Sequence, residues 1–178
     1  MNLFLPNKHV RSIFDLKADM LKDEGIKALV IDLDNTLIPW NVAVAPDEVK
    51  KWLTMMQDAG LKITIFSNNN IHRVSKFAEP LEIPFIHRAR KPLTFSFHRA
   101  ARKMNVSPGE LAVVGDQLLT DVLGGNLFGA YTILVVPIVK SDAPVTKFNR
   151  FVEKRIMESF YRKGKLVRGV TDGNKTSM

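Results

Sequence analysis

Asp32 and Asp34 stand two residues apart at the end of the apolar run Ala28-Leu29-Val30-Ile31, and the chain continues into Asn35 and Thr36. Side chains two apart on an extended segment point the same way, so both carboxylates converge at the carboxyl edge of whatever sheet the run joins. Carboxylates about 4 Å apart repel by roughly 4 kcal/mol at an effective dielectric near 20, and a divalent cation or a raised pKa must relieve that repulsion. A third acid, Asp116, closes a second apolar run, Leu111-Ala112-Val113-Val114-Gly115. It takes the same edge position as Asp32. Hard oxygen ligands without His or Cys suit Mg²⁺, which keeps several waters and needs few carboxylates. Asp121 reads either as a group orienting Asp116 or a metal-bound water, or as an ordinary acid at a helix N-terminus.

Two further positions complete a phosphate site. Ser67 follows the run Leu61 to Phe66 and opens Ser67-Asn68-Asn69-Asn70, where a hydroxyl and backbone N–H groups at a helix start can hold phosphate oxygens. Taken alone, Ser67 reads as a helix cap. Lys91, in Arg88-Ala89-Arg90-Lys91-Pro92, offers a cation just before a helix, although a lone lysine is ordinarily a surface residue. His9, His72, His87 and His98 show no ligand spacing. Trp40 reads as a flap beside the site or as a packing residue, and Arg88 and Arg90 as a widening of the field around Lys91 or as solvated charge.

The elements that must position these groups read as repeated βα units, which build a parallel sheet. Five strands are expected: Ala28 to Leu33, Leu61 to Phe66, a short one at Phe85 and Ile86, Leu111 to Val114, and Tyr131 to Val136. Val49, Trp52, Leu53 and Met56 fall at helical spacing after Pro46, and further helices follow Asn70, Pro92 and Thr120. The predicted fold is α/β, three-layered and Rossmann-like, with a mostly parallel five-stranded sheet. Two amphipathic helices flank the alternation. One leads the chain over residues 1–24, with Val10, Ile13, Phe14, Met20 and Leu21 on one face. The other, over 145–163, carries Phe148, Phe151, Val152, Ile156 and Phe160 among basic residues, and either packs on the core or lies on a membrane. A single domain is expected over 1–168, with a disordered tail over 169–178.

Composition narrows the function classes. An apolar fraction of 46% and a charged fraction of 25% are those of a globular domain. No run is apolar enough to span a bilayer. The absence of cysteine excludes disulfides and thiolate metal sites, and points to a cytoplasmic location. The net charge is +8, and most of it lies from Lys140 onward, which reads either as suiting an anionic partner, lipid headgroups or nucleic acid, or as a solvated face that only aids solubility.

Together these residues resemble the haloacid dehalogenase-like (HAD) superfamily, whose four motifs occur here in order: Asp32-x-Asp34-x-Thr36, Ser67, Lys91, and Gly115-Asp116 with Asp121. The stretches Asp-Leu-Asp-Asn-Thr-Leu, Ser-Asn-Asn, Arg-Lys-Pro and Gly-Asp-Gln look more closely like the YqeG-type phosphatases of HAD subfamily IIIA, and the likeness extends to about residue 165. The resemblance implies that Asp32 is a nucleophile forming an aspartyl-phosphate and that Asp34 protonates the leaving oxygen and then activates water. It implies that Asp32, the backbone carbonyl of Asp34, and Asp116 hold Mg²⁺, with Thr36 and Asp121 in support, while Ser67, Asn68 and Lys91 take the phosphate. Short intervals where this superfamily inserts caps imply an open, essentially capless site. The expected substrate is a lipid phosphate such as phosphatidylglycerophosphate, met at the inner face of the membrane. The alternatives are the same chemistry on a nucleotide, sugar phosphate or nucleic-acid end, and an RNA- or ribosome-binding module with a vestigial site.

Overall fold

The central strands form where the β-branched runs lie and are buried on both faces, as a sheet covered by helices requires. A computed structural model describes residues 2–139 and 147–166. Its strands are β1 (Lys8–Val10), β2 (Ala28–Ile31), β3 (Lys62–Phe66), β4 (Phe85–Ile86), β5 (Leu111–Gly115) and β6 (Tyr131–Val135). Its helices are α1 (Ala18–Asp23), α2 (Asp47–Asp58), α3 (Ile71–Ala78), α4 (Phe95–Met104), α5 (Leu123–Phe128) and α6 (Lys147–Arg162). The sheet order is β1-β6-β5-β2-β3-β4, and every pairing is parallel.

Alternation along the strands divides the core into two layers. Leu29, Ile31, Ile63, Ile65 and Val114 face α1, α2 and α3, where Leu21, Val49, Trp52 and Phe77 meet them. Ala28, Val30, Phe66 and Val113 face α4, against Phe97, Ala100 and Met104. The three-layer α/β arrangement is therefore the expected one. All six strands run the same way, so every strand-to-helix connection opens on one edge. Among the described residues, the connections over 32–46 and 67–84 hold no inserted cap domain.

The sheet has six strands rather than five, and the leading segment is not one helix. Lys8, His9 and Val10 lack a β-branched run, but they pair with Ile133, Leu134 and Val135. The pairing is pinned by side chains remote in sequence: Asn7 Oδ1 accepts the Thr132 N–H at 2.8 Å, and Asn126 Nδ2 donates to the Leu3 carbonyl at 2.7 Å. Ser12 then starts a short 3₁₀ turn at Ile13–Asp15, because its hydroxyl accepts the Phe14 N–H while Asp15 accepts the N–H groups of Arg11 and Ser12. The apolar positions at helical spacing are thus divided between a strand, a turn and α1. Ile13 and Leu21 are buried, whereas Phe14 is left exposed.

The terminal helix takes the packing alternative. Phe160 is buried, and Ile156 and Met157 pack against Leu118, Val122 and Leu134. Glu153 accepts the Leu119 N–H at 3.0 Å, which ties α6 to the segment following β5. Phe151 remains exposed, with the Arg155 guanidinium 5.2 Å from its ring. Residues 145–146 of the expected helix and the expected tail at 169–178 lie outside the described residues.

Candidate active site

β2 and β5 are adjacent, with Ile31 opposite Val114, so their carboxyl ends bring Asp32 and Asp116 together although 84 positions separate them. Asp32 still belongs to the ladder, its N–H donating to the Val114 carbonyl at 2.8 Å. A turn closes the site beyond it: Asn35 takes a positive φ of 64°, and its N–H donates to the Ile38 carbonyl at 2.7 Å. This turn points Thr36 back, and its hydroxyl donates to Asp116 Oδ1 at 3.3 Å.

Asp121 joins the two acids through a close approach at Gly115. A Cβ built on Gly115 would fall 2.1 Å from Asp121 Cγ, so only glycine lets the π-helical turn Leu118–Val122 lay Asp121 over the end of β5. The helix expected after Thr120 therefore begins three residues earlier, at Leu118, as that turn. Asp121 Oδ2 accepts the Gln117 N–H at 3.1 Å, and Oδ1 accepts from Lys91 Nζ at 2.6 Å. Lys91 Nζ also donates to Asp32 Oδ1 at 2.5 Å. The lysine that would ordinarily be exposed is buried between two carboxylates.

Oxygen atoms of Asp32, Asp116 and Asp121, all buried, lie within 4.8 Å of one another. Burial pushes the Asp32 carboxyl well above the ordinary carboxylate range; Lys91 opposes this, and the charges of Asp121 and Asp116 add to it. Burial also disfavours the Lys91 ammonium, but the carboxylates of Asp121 and Asp32 outweigh it and hold the group above an ordinary lysine. Three buried acids face one ammonium. That excess of hard anionic oxygen fits a divalent metal.

The segment after β3 supplies the opposite wall. Ser67 is buried, its N–H donating to the Ile86 carbonyl and its hydroxyl oxygen accepting the Asn69 N–H at 3.1 Å. The cap of α3 is Asn70, which accepts the Arg73 N–H, so the capping alternative for Ser67 is not taken. Ser67 keeps its hydroxyl proton to donate. Asn68 accepts the Lys91 N–H at 2.7 Å and donates to the Lys91 carbonyl at 3.2 Å. Both polar atoms of its side chain thus hold the Lys91 backbone, beside a cis Lys91–Pro92 peptide.

Asp34 is held by residues that carried no signal in the sequence. Arg73 donates to Asp34 Oδ1 from Nε at 3.0 Å and from a terminal nitrogen at 2.7 Å, and Asn69 Nδ2 donates to Oδ2 at 3.2 Å. The other terminal nitrogen of Arg73 is buried without a partner among the described residues. Arg73 sits in the first turn of α3, three residues after its cap, and that position alone does not single it out from the many arginines on helix surfaces. Asp32, Asp34, Ser67, Lys91, Asp116 and Asp121 all meet at the carboxyl edge, and His72 and His98 are exposed.

The chain is similar to proteins named as phosphatases. A family model described as "Mitochondrial PGP phosphatase" matches residues 1–140. "Probable phosphatase YqeG" of Bacillus subtilis is 49% identical over 161 residues, covering 90% of this chain and 94% of that protein. The yeast "Phosphatidylglycerophosphatase GEP4, mitochondrial" of Saccharomyces cerevisiae is 33% identical over 143 residues, covering 71% of this chain and 76% of its own. Among solved structures, the cobalt-bound form of a deoxy-D-mannose-octulosonate 8-phosphate phosphatase from Haemophilus influenzae superposes with a TM-score of 0.53 at 15% identity, over 82% of this chain and 95% of that one. At that identity the likeness is one of fold.

Proposed function

Because the chain belongs to the mitochondrial PGP phosphatase family and is an HAD-type phosphatase, we propose that it is a Mg²⁺-dependent phosphomonoester hydrolase whose substrate is phosphatidylglycerophosphate. The observation that carries the chemistry is the buried cluster of Asp32, Asp116 and Asp121 around the Lys91 ammonium. The observation behind the lipid substrate is the name borne by the yeast relative.

In this reading Asp32, Asp116 and the backbone carbonyl of Asp34 hold the cation, which supplies positive charge to the phosphoryl oxygens. A carboxylate oxygen of Asp32 attacks phosphorus as the bond to the lipid alkoxide breaks. Lys91, held by Asn68 and Asp121, sets the orientation of Asp32 and offers its charge to the phosphoryl group, and the Ser67 hydroxyl donates to it. Asp34 gives its proton to the departing alkoxide. The carboxylate so formed then takes a proton from water as that water attacks the aspartyl-phosphate, which returns Asp32 and releases phosphate. Oδ1 of Asp34 accepts two donors of Arg73, so Oδ2, which accepts one amide hydrogen from Asn69, is the oxygen placed to exchange this proton.

The test compares wild type with Asp32→Asn on an aryl phosphate and on phosphatidylglycerophosphate in detergent micelles, with and without Mg²⁺. Metal-dependent release from both substrates, abolished in the variant, is expected. Equal rates for the two proteins would sink the nucleophile assignment, and release from the aryl ester alone would sink the lipid substrate.

A further inference from the structure

We propose that the carboxyl edge of the sheet, the same face that carries the phosphate site, docks on the surface of an anionic phospholipid bilayer. The proposal rests on the lipid-phosphate reading and adds the surface through which the enzyme meets its substrate. Eleven large apolar side chains are exposed on the described residues, and eight of them sit at this one edge. Trp40 and Val44 follow β2, Ile71 follows β3, Leu93 and Phe95 follow β4, and Ile138 follows β6. Phe14, after β1, and Val136 extend the same rim.

The opposite edge is an internal control. The turns that lead from helices back into strands there contain none of the eleven, and the remaining three, Met55, Leu127 and Phe151, lie on separate helices. Scattered apolar residues need no explanation, but a concentration of them around one mouth does. Val44 is 65% exposed and Leu93 57% exposed, so these side chains are not the margins of a core.

The rim is built into the loops that hold the site. Leu93 and Phe95 follow Lys91 by two and four positions, and Ile71 follows Asn69, which bonds Asp34. The Trp40 N–H donates to the Asn35 side chain, and the Ile138 N–H donates to the Asn35 carbonyl. Arg88 and Arg90, both exposed, add positive charge beside Lys91. Of the exposed acids on this edge, Asp47 is paired with Lys50 and Asp15 is engaged in its capping box, while Glu48 lies in the first turn of α2 and Asp19 in that of α1. Apolar side chains at the level of the headgroups, with cations among them, are what an anionic membrane surface binds. A capless site also needs such contact, because the phosphate of a bilayer lipid must travel to the buried Asp32. The basic helix α6 turns Ile156 and Met157 toward the segment after β5 and leaves Phe151 as its one large apolar side chain exposed among the described residues.

The experiment uses the whole chain with vesicles of phosphatidylcholine alone and of phosphatidylcholine mixed with phosphatidylglycerol. Wild type is expected to sediment with the mixed vesicles and weakly or not at all with the neutral ones. The Leu93→Ser/Phe95→Ser variant is expected to lose roughly ten-fold or more in vesicle binding, as removal of two inserted apolar groups requires. Its hydrolysis of a soluble aryl phosphate should remain at the wild-type level, which shows the variant is folded. Wild type that stays in solution, or a variant that binds as wild type does, overturns the proposal. So does a rim variant that is monomeric where wild type is a dimer without vesicle binding, because a second copy then covers the edge. Vesicle binding without release from phosphatidylglycerophosphate sinks the substrate reading and supports docking; micellar release without vesicle binding sinks docking and spares the substrate reading.

Discussion

Replacing Lys91 by Met keeps an apolar stem up to the Cε position and removes the single positive charge between the buried carboxylates of Asp32 and Asp121. With acids no more than 4.8 Å apart, each like-charge pair then costs roughly 3.5 kcal/mol at an effective dielectric of 20. Removing one member of a buried ion pair destabilises proteins by about 3–5 kcal/mol, and the same order is expected here. In a domain of this size that lowers Tm by on the order of 10 °C. The deficit belongs to the metal-free protein. A divalent cation restores positive charge to the cluster, and a ligand at a hundred times its Kd stabilises by about 2.7 kcal/mol, so Mg²⁺ should raise the variant's Tm more than wild type's. Urea unfolding and thermal melts of both proteins, in EDTA and in Mg²⁺, measure the two effects. A variant within about 1 kcal/mol of wild type in EDTA, or a deficit of equal size in Mg²⁺, would refute the claim that Lys91 neutralises this cluster.

Three other outcomes follow from particular contacts. Gly115→Ala places a methyl where Asp121 Cγ lies 2.1 Å away, which displaces Asp121 from Lys91 and Gln117; a loss of about 1–3 kcal/mol in unfolding free energy together with most of the activity is expected, and wild-type values for both would contradict the close approach. Arg73→Met frees Asp34 Oδ1 and should lower kcat by roughly 10–100-fold with KM little changed, while Arg73→Lys recovers only part of it because one ammonium cannot reproduce the two donors; steady-state kinetics decide, and an unchanged kcat removes Arg73 from the mechanism. Glu110, far from the site, has its pKa pulled from 4.5 to about 2 by hydrogen bonds from the Lys27 side chain and the Ser107 N–H. A depressed folded pKa contributes stability that is present above pH 4.5 and lost as pH falls toward 2, so Glu110→Gln should flatten the acid limb of the stability curve in that window, and an unchanged limb would show the bonds are not made in solution.

Local patterns carried much of this molecule. Asp32 and Asp34 announced themselves because a period of two on a strand is a local property, and the burial of Val49, Trp52, Leu53 and Met56 followed from a helical period for the same reason. The start of α3 after Asn70 and the β-branched runs of β2, β3, β5 and β6 were likewise legible from neighbours alone, although it is Ser67 that reads as the cap. What depended on distant partners was not. β1 is a strand because Thr132 and Asn126 hold the residues before it, and its own three residues have no such preference. Arg73 reaches Asp34 and Lys91 is buried between Asp32 and Asp121 only once parallel strands gather their carboxyl ends on one edge, since no spacing along the chain encodes a distance between side chains 30, 39 or 59 positions apart. The types of the reacting groups are written in the chain, whereas which of them neutralises or orients which is decided by the sheet order that brings them within a few ångströms.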